Sequence, residues 1–403
     1  MLKVKTPKEV MEIVKSEFFP LENCEYVALE EALGRVLSKD IKAEEFVPDF
    51  DRSTVDGWAV RACDSFGCSE AVPAELKIAG EVKMGEKPDF ELKEGCCAQI
   101  PTGGALPQGA DCVQMLEYSE SYGDGSVGIL KAAAPGQNLI RRGDDVYPGK
   151  RVLEKGRVLR PQDIGALAAM GVVSVPVAKR LKIGVISTGD ELVTADKKPN
   201  YGEIRDVNGY AISALLREFG AEVIYYGIIK DSEELLLWWA EKALKDCDGL
   251  IISGGSSVGQ KDGAEKVISA MGELLFHGIA VKPGKPTIMG KAGGKPVFGL
   301  PGHPAAAFLM TKLFVLPLLS VLMGRKDKEY CVSAVLSENI SANHGRAEIL
   351  SVRLKKEGSG LIAEPVRGKS GLISVLSSTD GYIIIERDRE GLPAGSEVKV
   401  YLN

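Results

Sequence analysis

The sequence predicts a multidomain chain of mixed α/β and β class. It should hold a central doubly wound α/β domain with a mostly parallel sheet, an inserted β-rich domain, a mixed α/β N-terminal domain and a β-rich C-terminal domain. Three observations lead there. At 403 residues the chain exceeds the size at which one hydrophobic core keeps growing. From Leu181 onward, short apolar runs alternate with amphipathic stretches, the βαβ rhythm of a sheet covered on both faces. On either side, residues 46–145 and 326–403 read as short strands broken by Gly and Pro.

The elements follow in order. TPKEVMEIVKSEFF opens with Thr6 as cap, Pro7 in the first turn and Glu9 as capping-box partner; Val10, Ile13 and Val14 then keep a helical period. AELKIAGEV and PTGGALPQGADCVQMLE carry the strand texture of residues 46–145. RVLRPQDIGALAAMG reads as a strand, a helix begun at Pro161 and a stop at Gly171. That segment is expected to rejoin the N-terminal helix, so residues 1–45 and 146–178 make one domain interrupted by 46–145.

Residues 179–325 hold the strands LKIGVIS, AEVIYYGII, DGLIIS, IAVK, PTIMG and PVFGL. Between them lie helices capped by Asn208, begun near Asp231 or Ser232, opened at Gly263, and entered through Pro304. Gly220 is read as the stop of the first. In residues 326–403, EILSVRL and LIAEPV face each other across KKEGSG as a hairpin.

Composition narrows the function. A net charge of −6 argues against a general nucleic-acid binder. No 18-residue apolar stretch or signal-peptide layout is read, so no membrane partner is expected and a cytoplasmic location is. The eight cysteines form no CxxC pair, which disfavours zinc and disulfide frameworks. Cys96 and Cys97 are adjacent, suiting opposite faces of a strand.

Chemistry gathers in the loops behind the strands, where doubly wound sheets bind ligands. These are TGDEL, KDSEE, SGGSSVGQKD, KPGKP and PGHP, expected to converge on one edge. Taken singly, each reads as an ordinary turn or cap. Together they suit an anionic ligand. Gly254, Gly255 and Gly259 let backbone N–H groups approach phosphate oxygens, and Lys282 and Lys285 supply fixed cations. Carboxylates beside phosphate call for a hard cation, for which Mg²⁺ fits. No GxxxxGK[ST] occurs, and SGGSSVG lacks the GxGxxG dinucleotide fingerprint.

TGDEL (188–192), GEIRDVNGY (202–210), SGGSSVGQKD (253–262), KPGKP (282–286) and GLPGHP (299–304) come in an order and spacing that resemble the molybdopterin molybdenumtransferases. This is the MoeA type, related to the E domain of gephyrin. STVDGWAVR (53–61), PTGGALPQGAD (101–111) and RRGDDVYPGK (141–150) resemble the family's earlier motifs, so the likeness spans nearly the whole chain.

The resemblance implies molybdenum cofactor biosynthesis: metal from molybdate or tungstate enters adenylylated molybdopterin and AMP is released. It also implies an elongated homodimer with each site completed by the other subunit; Mg²⁺, read from the loop carboxylates, is the expected cofactor, and molybdopterin adenylyltransferase is a candidate partner. Its catalytic residues fall on Asp56, Thr102, Asp145, Glu191, Asp231, Asp262, Lys282 and Lys285. Substrate binding falls on Asn208, Ser253, Gly254, Gly255, Ser257, Gly259, Pro301 and Pro304, and metal ligation on Glu191, Asp231 and Asp262. Trp58, Gly104-Ala105, Ser256 and His303 depart from the usual motif residues, and Asp144 adjoins Asp145 as a rival acid. The competing activities are molybdopterin adenylylation and a catalytically silent, gephyrin-like scaffold.

Overall fold

The computed structural model describes residues 4–254, 263–326, 329–343, 345–368, 371 and 373–403. In the N-terminal part, Cys24–Ala28 pairs antiparallel with Ser174–Ala178, and Ile41–Lys42 with Arg151–Leu153. Leu37, Leu153, Leu159, Leu167, Val175 and Val177 form the core between these ribbons and the helix Pro161–Ala169. Asp163 closes that helix's first turn. Its buried carboxylate accepts from Arg157 Nη2 at 2.7 Å and from the Arg160 N–H at 3.0 Å. Residues between the ribbons form a six-stranded sheet in the order Cys112–Met115, Gly57–Val60, Cys96–Ile100, Ala74–Glu81, Ser126–Ile129, Ser119–Ser121. Cys97 is buried there and Cys96 is not, as adjacent strand positions require.

The N-terminal helix Pro7–Glu17 has the expected capping box, with Thr6 accepting from the Glu9 N–H. Its packing is different from that expected. Val10 and Val14 are fully buried against Leu318, Leu319 and Leu322 of the central domain, not against residues 157–171. The stretch 157–178 rejoins residues 24–42 instead. One apolar stripe is enough to reassign a helix, because it packs wherever a matching surface lies.

The central sheet runs Glu222–Ile229, Lys182–Thr188, Gly249–Ser253, Lys295–Leu300, Ile288–Ala292, Gly272–His277. The first four strands are mutually parallel, and the last two alternate in direction. PTIMG and PVFGL are thus an antiparallel hairpin, and the edge strand Gly272–His277 has no counterpart in the sequence reading. IAVK leaves this sheet: Val281–Lys282 pairs in parallel with Ala347–Glu348 of the C-terminal domain. Helices cover both faces. Ile212 and Leu216 pack on Ile183, Val185 and Ile251, while Leu236, Ala240 and Val267 pack on Ile186, Leu250 and Ile252.

Pro304–Met323 is a continuous, strongly apolar helix of 20 residues, long enough on composition alone to cross a membrane. The sequence reading of no such stretch is therefore corrected. Most of the helix is buried, with Phe314, Leu318, Leu319 and Leu322 in the same core as Val10 and Val14, which is how a central helix of a globular core is used. A π-turn at Thr311–Val315 precedes Pro317, relieving the backbone where that residue has no N–H to donate.

In the C-terminal domain, Ala347–Glu357 and Gly360–Pro365 form the expected hairpin. Cys331–Leu336, Glu397–Leu402 and Gly381–Ile385 continue around from it, and Gly381–Ile385 pairs back onto Ala347–Glu357, closing a barrel. Closure removes the exposed edges a small sheet would otherwise carry.

Leu216 lies at 0% exposure between the helix Asn208–Phe219 and the sheet. Leu216→Ala is expected to destabilise the central domain by about 2–5 kcal/mol. Urea unfolding followed by Trp238 and Trp239 fluorescence, compared with wild type, measures it.

Candidate functional site

Strand order places the site. From Lys182–Thr188 the chain crosses through the helix Asn208–Phe219 to the edge strand Glu222–Ile229. It then returns through Glu233–Asp246 to Gly249–Ser253, on the other side of the starting strand. Connections leaving in opposite directions open a crevice at the carboxyl ends of Lys182–Thr188 and Gly249–Ser253. There the structure has a cleft of about 530 Å³, lined by Thr188, Glu191, Asp206, Asn208, Ser253, Gly254, His303 and Pro304, with Gly371 of the C-terminal domain at its rim.

Beneath the cleft, Asp206 is 4% exposed. Its carboxylate accepts from Ser187 Oγ at 2.9 Å, from the Gly209 N–H at 3.0 Å and from the Tyr225 hydroxyl. Three donors satisfy a buried charge that would otherwise be expensive. Burial, with the Asp206 carboxylate beside it, pushes the Tyr225 phenol well above its usual range, so it stays a donor. Gly209 is needed here, because a Cβ would meet Asp206 Oδ2 at 2.3 Å.

This network corrects the cap assignment. Asp206 takes the Gly209 N–H at the start of the helix, while Asn208 turns its amide inward. Asn208 Nδ2 donates to Ser253 Oγ and to the Gly302 carbonyl, each at 2.9 Å, and reaches the Pro301 carbonyl at 3.3 Å. Two carbonyl acceptors on one amide nitrogen settle its orientation. Three loops from distant sequence positions are thereby joined. Gly254 sits at φ +107°, where a Cβ would meet the Thr188 carbonyl at 2.1 Å, so the ends of the two central strands touch only because it is Gly.

The acids at the rim are partly organised. Asp231 accepts from Thr188 Oγ1, and its N–H donates to Asp190 Oδ1 at 3.3 Å. Ser232, rather than Asp231, caps the following helix through the Leu235 N–H. Glu191 lines the cleft. No cluster of three or more potential metal ligands occurs among the described residues.

Of the residues expected here, Glu191, Asn208, Ser253, Gly254 and Pro304 line the cleft, and Pro301 meets Asn208 through its carbonyl. Gly255, Ser257, Gly259 and Asp262 lie outside the described residues. Lys282 and Lys285 do not line this cleft, because KPGKP follows the strand that joined the C-terminal barrel. Lys282 Nζ pairs with Glu348 Oε1 at 2.8 Å, and Lys285 borders a separate hollow of about 210 Å³ with Ile279 and Arg346.

Asp56 and Thr102 meet in the inserted domain, where the Thr102 N–H donates to Asp56 Oδ1 at 2.8 Å. Asp145 lies on the adjoining segment that pairs with Val47. Asp144 accepts from the Arg141 N–H at 2.7 Å and so closes a turn, whereas the Asp145 carboxylate has no partner among the described residues.

Asp206 and Tyr225 are the site groups that sequence reasoning missed. Asp206 stood inside GEIRDVNGY, two residues before Asn208, and its position just before a helix start was the available signal.

The fold and crevice define a doubly wound, ligand-binding α/β domain carried in a larger chain with β-rich additions. Three family profiles match this chain. They are the MoeA N-terminal region (domain I and II) over residues 5–171, the "Probable molybdopterin binding domain" over 184–321, and the MoeA C-terminal region (domain IV) over 333–403. The molybdopterin molybdenumtransferase of Bacillus subtilis is 32% identical over 410 residues, covering 100% of this chain and 95% of the relative. That of Haemophilus influenzae is 34% identical over 386 residues, covering 95% and 94%. The crystal structure of the molybdopterin biosynthesis MoeA protein from Pyrococcus horikoshii OT3 superposes with a TM-score of 0.89 at 35% identity, covering 100% of both chains. The chain belongs to the MoeA family of molybdopterin molybdenumtransferases.

Asp206→Asn takes the charge from three donors at once. It is expected to destabilise the central domain by about 1.5–3 kcal/mol and to weaken ligand binding in the cleft. Denaturant titration and ligand-binding calorimetry on the same preparation read both effects.

Proposed function

We propose that this chain is a transferase of molybdenum cofactor biosynthesis that inserts molybdenum, from its oxyanion, into adenylylated molybdopterin and releases AMP. The observation that carries the reading is the cleft at the switch point, where Asn208 ties together the loops that the family shares. The substrate brings its own dithiolene sulfurs to the metal. No cysteine of the chain is required, and the eight cysteines are free thiols, which suits a reducing cytosol.

Ser253, Gly254 and the N-terminus of the helix entered through Pro304 would face the ligand's phosphates. Lys282, Lys285 and Arg346 would attract the oxyanion beside the barrel. Mg²⁺ fits the donors at the rim. Glu191 and Asp231 are carboxylates at the strand ends, and Mg²⁺ is commonly held by one or two of them together with phosphate oxygens and water. When bound it would neutralise phosphate charge, and Asp262 would join the set. Asp56, Thr102 and Asp145, from the inserted domain, would complete the site of a second copy in a homodimer; molybdopterin adenylyltransferase is the natural supplier of the substrate.

Incubating the full chain with adenylylated molybdopterin, with and without molybdate or tungstate, tests the reading. AMP release that depends on an oxyanion is expected. Its absence with both oxyanions refutes insertion, and consumption of ATP with molybdopterin, releasing pyrophosphate, would point to adenylylation. Asp262→Ala and Mg²⁺ chelation are each expected to lower the rate by roughly tenfold or more, measured by chromatography of released AMP.

A further inference from the structure

Glu348 is a carboxylate in an unexpected place. It opens the barrel strand Ala347–Glu357, two residues after Arg346, and its Oε1 holds Lys282 at 2.8 Å. An acid beside cations that serve an anion would ordinarily weaken the site. A plain interdomain clasp is the simplest account, and three observations argue against it. The backbone already fastens the domains, since the Ala347 N–H donates to the Ala280 carbonyl at 2.9 Å and Lys282 registers with Glu348. Glu348 Oε2 is buried with no partner among the described residues, which a contact built only for stability would not leave. The Lys282 side chain is 44% exposed, so its ammonium has N–H groups left for an incoming anion.

We propose that Glu348 positions Lys282 and sets the charge that the oxyanion meets. Lys285 and Arg346 border one hollow, and Lys282 pairs with Glu348, two residues along the chain from Arg346. Taken together, these three cations and Glu348 carry two net positive charges, matching a dianion. The carboxylate holds the ammonium at one place on the barrel edge. It also keeps the group from gripping every anion too firmly to release it. This inference rests on the reading of Lys282, Lys285 and Arg346 as the oxyanion site.

The two roles separate on substitution. Glu348→Gln keeps the shape, raises the net charge and loosens the ammonium. Its dissociation constants for molybdate, tungstate and sulfate should fall roughly tenfold, while kcat for AMP release falls by a similar factor. Glu348→Asp keeps the charge and shortens the reach, so its anion affinity should stay near wild type while kcat drops. A clasp predicts the opposite sign for Glu348→Gln, because a loosened domain contact weakens binding.

Equilibrium dialysis with molybdate, tungstate and sulfate on the full chain reads affinity without turnover, and thermal melts confirm that each variant is folded. Unchanged or weaker anion binding by folded Glu348→Gln overturns the inference even if wild type releases AMP. Tighter binding by that variant, in a protein that releases no AMP with either oxyanion, supports the charge-setting role and leaves only the insertion reading refuted. As a second variant, Lys285→Gln should weaken anion binding; if it does not, the oxyanion pocket is elsewhere and the inference falls with it.

Discussion

The Asp206 carboxylate, buried beneath the cleft, holds the ligand-binding end of this protein together. It sits where the chain leaves the central strand and turns into a helix, and it collects donors from the strand, the helix start and the neighbouring edge strand. A buried charge with three donors is stiff, because losing any one of them leaves a charge in a low-dielectric interior less well satisfied. The next turn inherits that stiffness. Asn208, directed inward, ties Ser253 to the 301–302 loop, and Gly254 lets the two central strand ends touch. The cleft is therefore preorganised by polar contacts on its floor, and its rim keeps acids and open space for a ligand.

Apolar contacts do the complementary work at longer range. The helix Pro304–Met323 starts at the cleft and runs through the core, where it meets the N-terminal helix and the central sheet. Its first turn lines the cleft and its later turns face the interior, so a movement at the cleft is resisted by a close-packed core. Because Val281–Lys282 pairs with a barrel strand, the KPGKP lysines belong to a boundary between two domains instead of to the crevice itself. Cleft and lysines are distinct polar regions.

Much of the architecture was legible in the residues. The capping box at Thr6 and Glu9, the stop at Gly220, the helix entered through Pro304 and the KKEGSG hairpin all depend on neighbours within a few positions, and all are present. The motif loops at Glu191, Asn208, Ser253, Gly254 and Pro304 meet at the crevice because the parallel strands carry them there. Packing was legible only in part. The N-terminal helix showed its apolar stripe but not its partner, and Pro304–Met323 was underestimated because its Lys312 and Pro317 divide the run to the eye.

What the sequence determined by itself was local and periodic: which stretches are helix or strand, where they begin and end, and which loops carry phosphate-friendly glycines, acids and lysines. Those features follow from interactions between residues a few positions apart. Tertiary structure alone decided that Asp206 rather than Asn208 satisfies the helix start, that IAVK joins the barrel, and that Glu348 faces Lys282. Each of those outcomes pairs groups brought together by strand order and domain closure. A carboxylate bears no mark in sequence of which distant donor will reach it, and its burial settles the question only once the chain has folded.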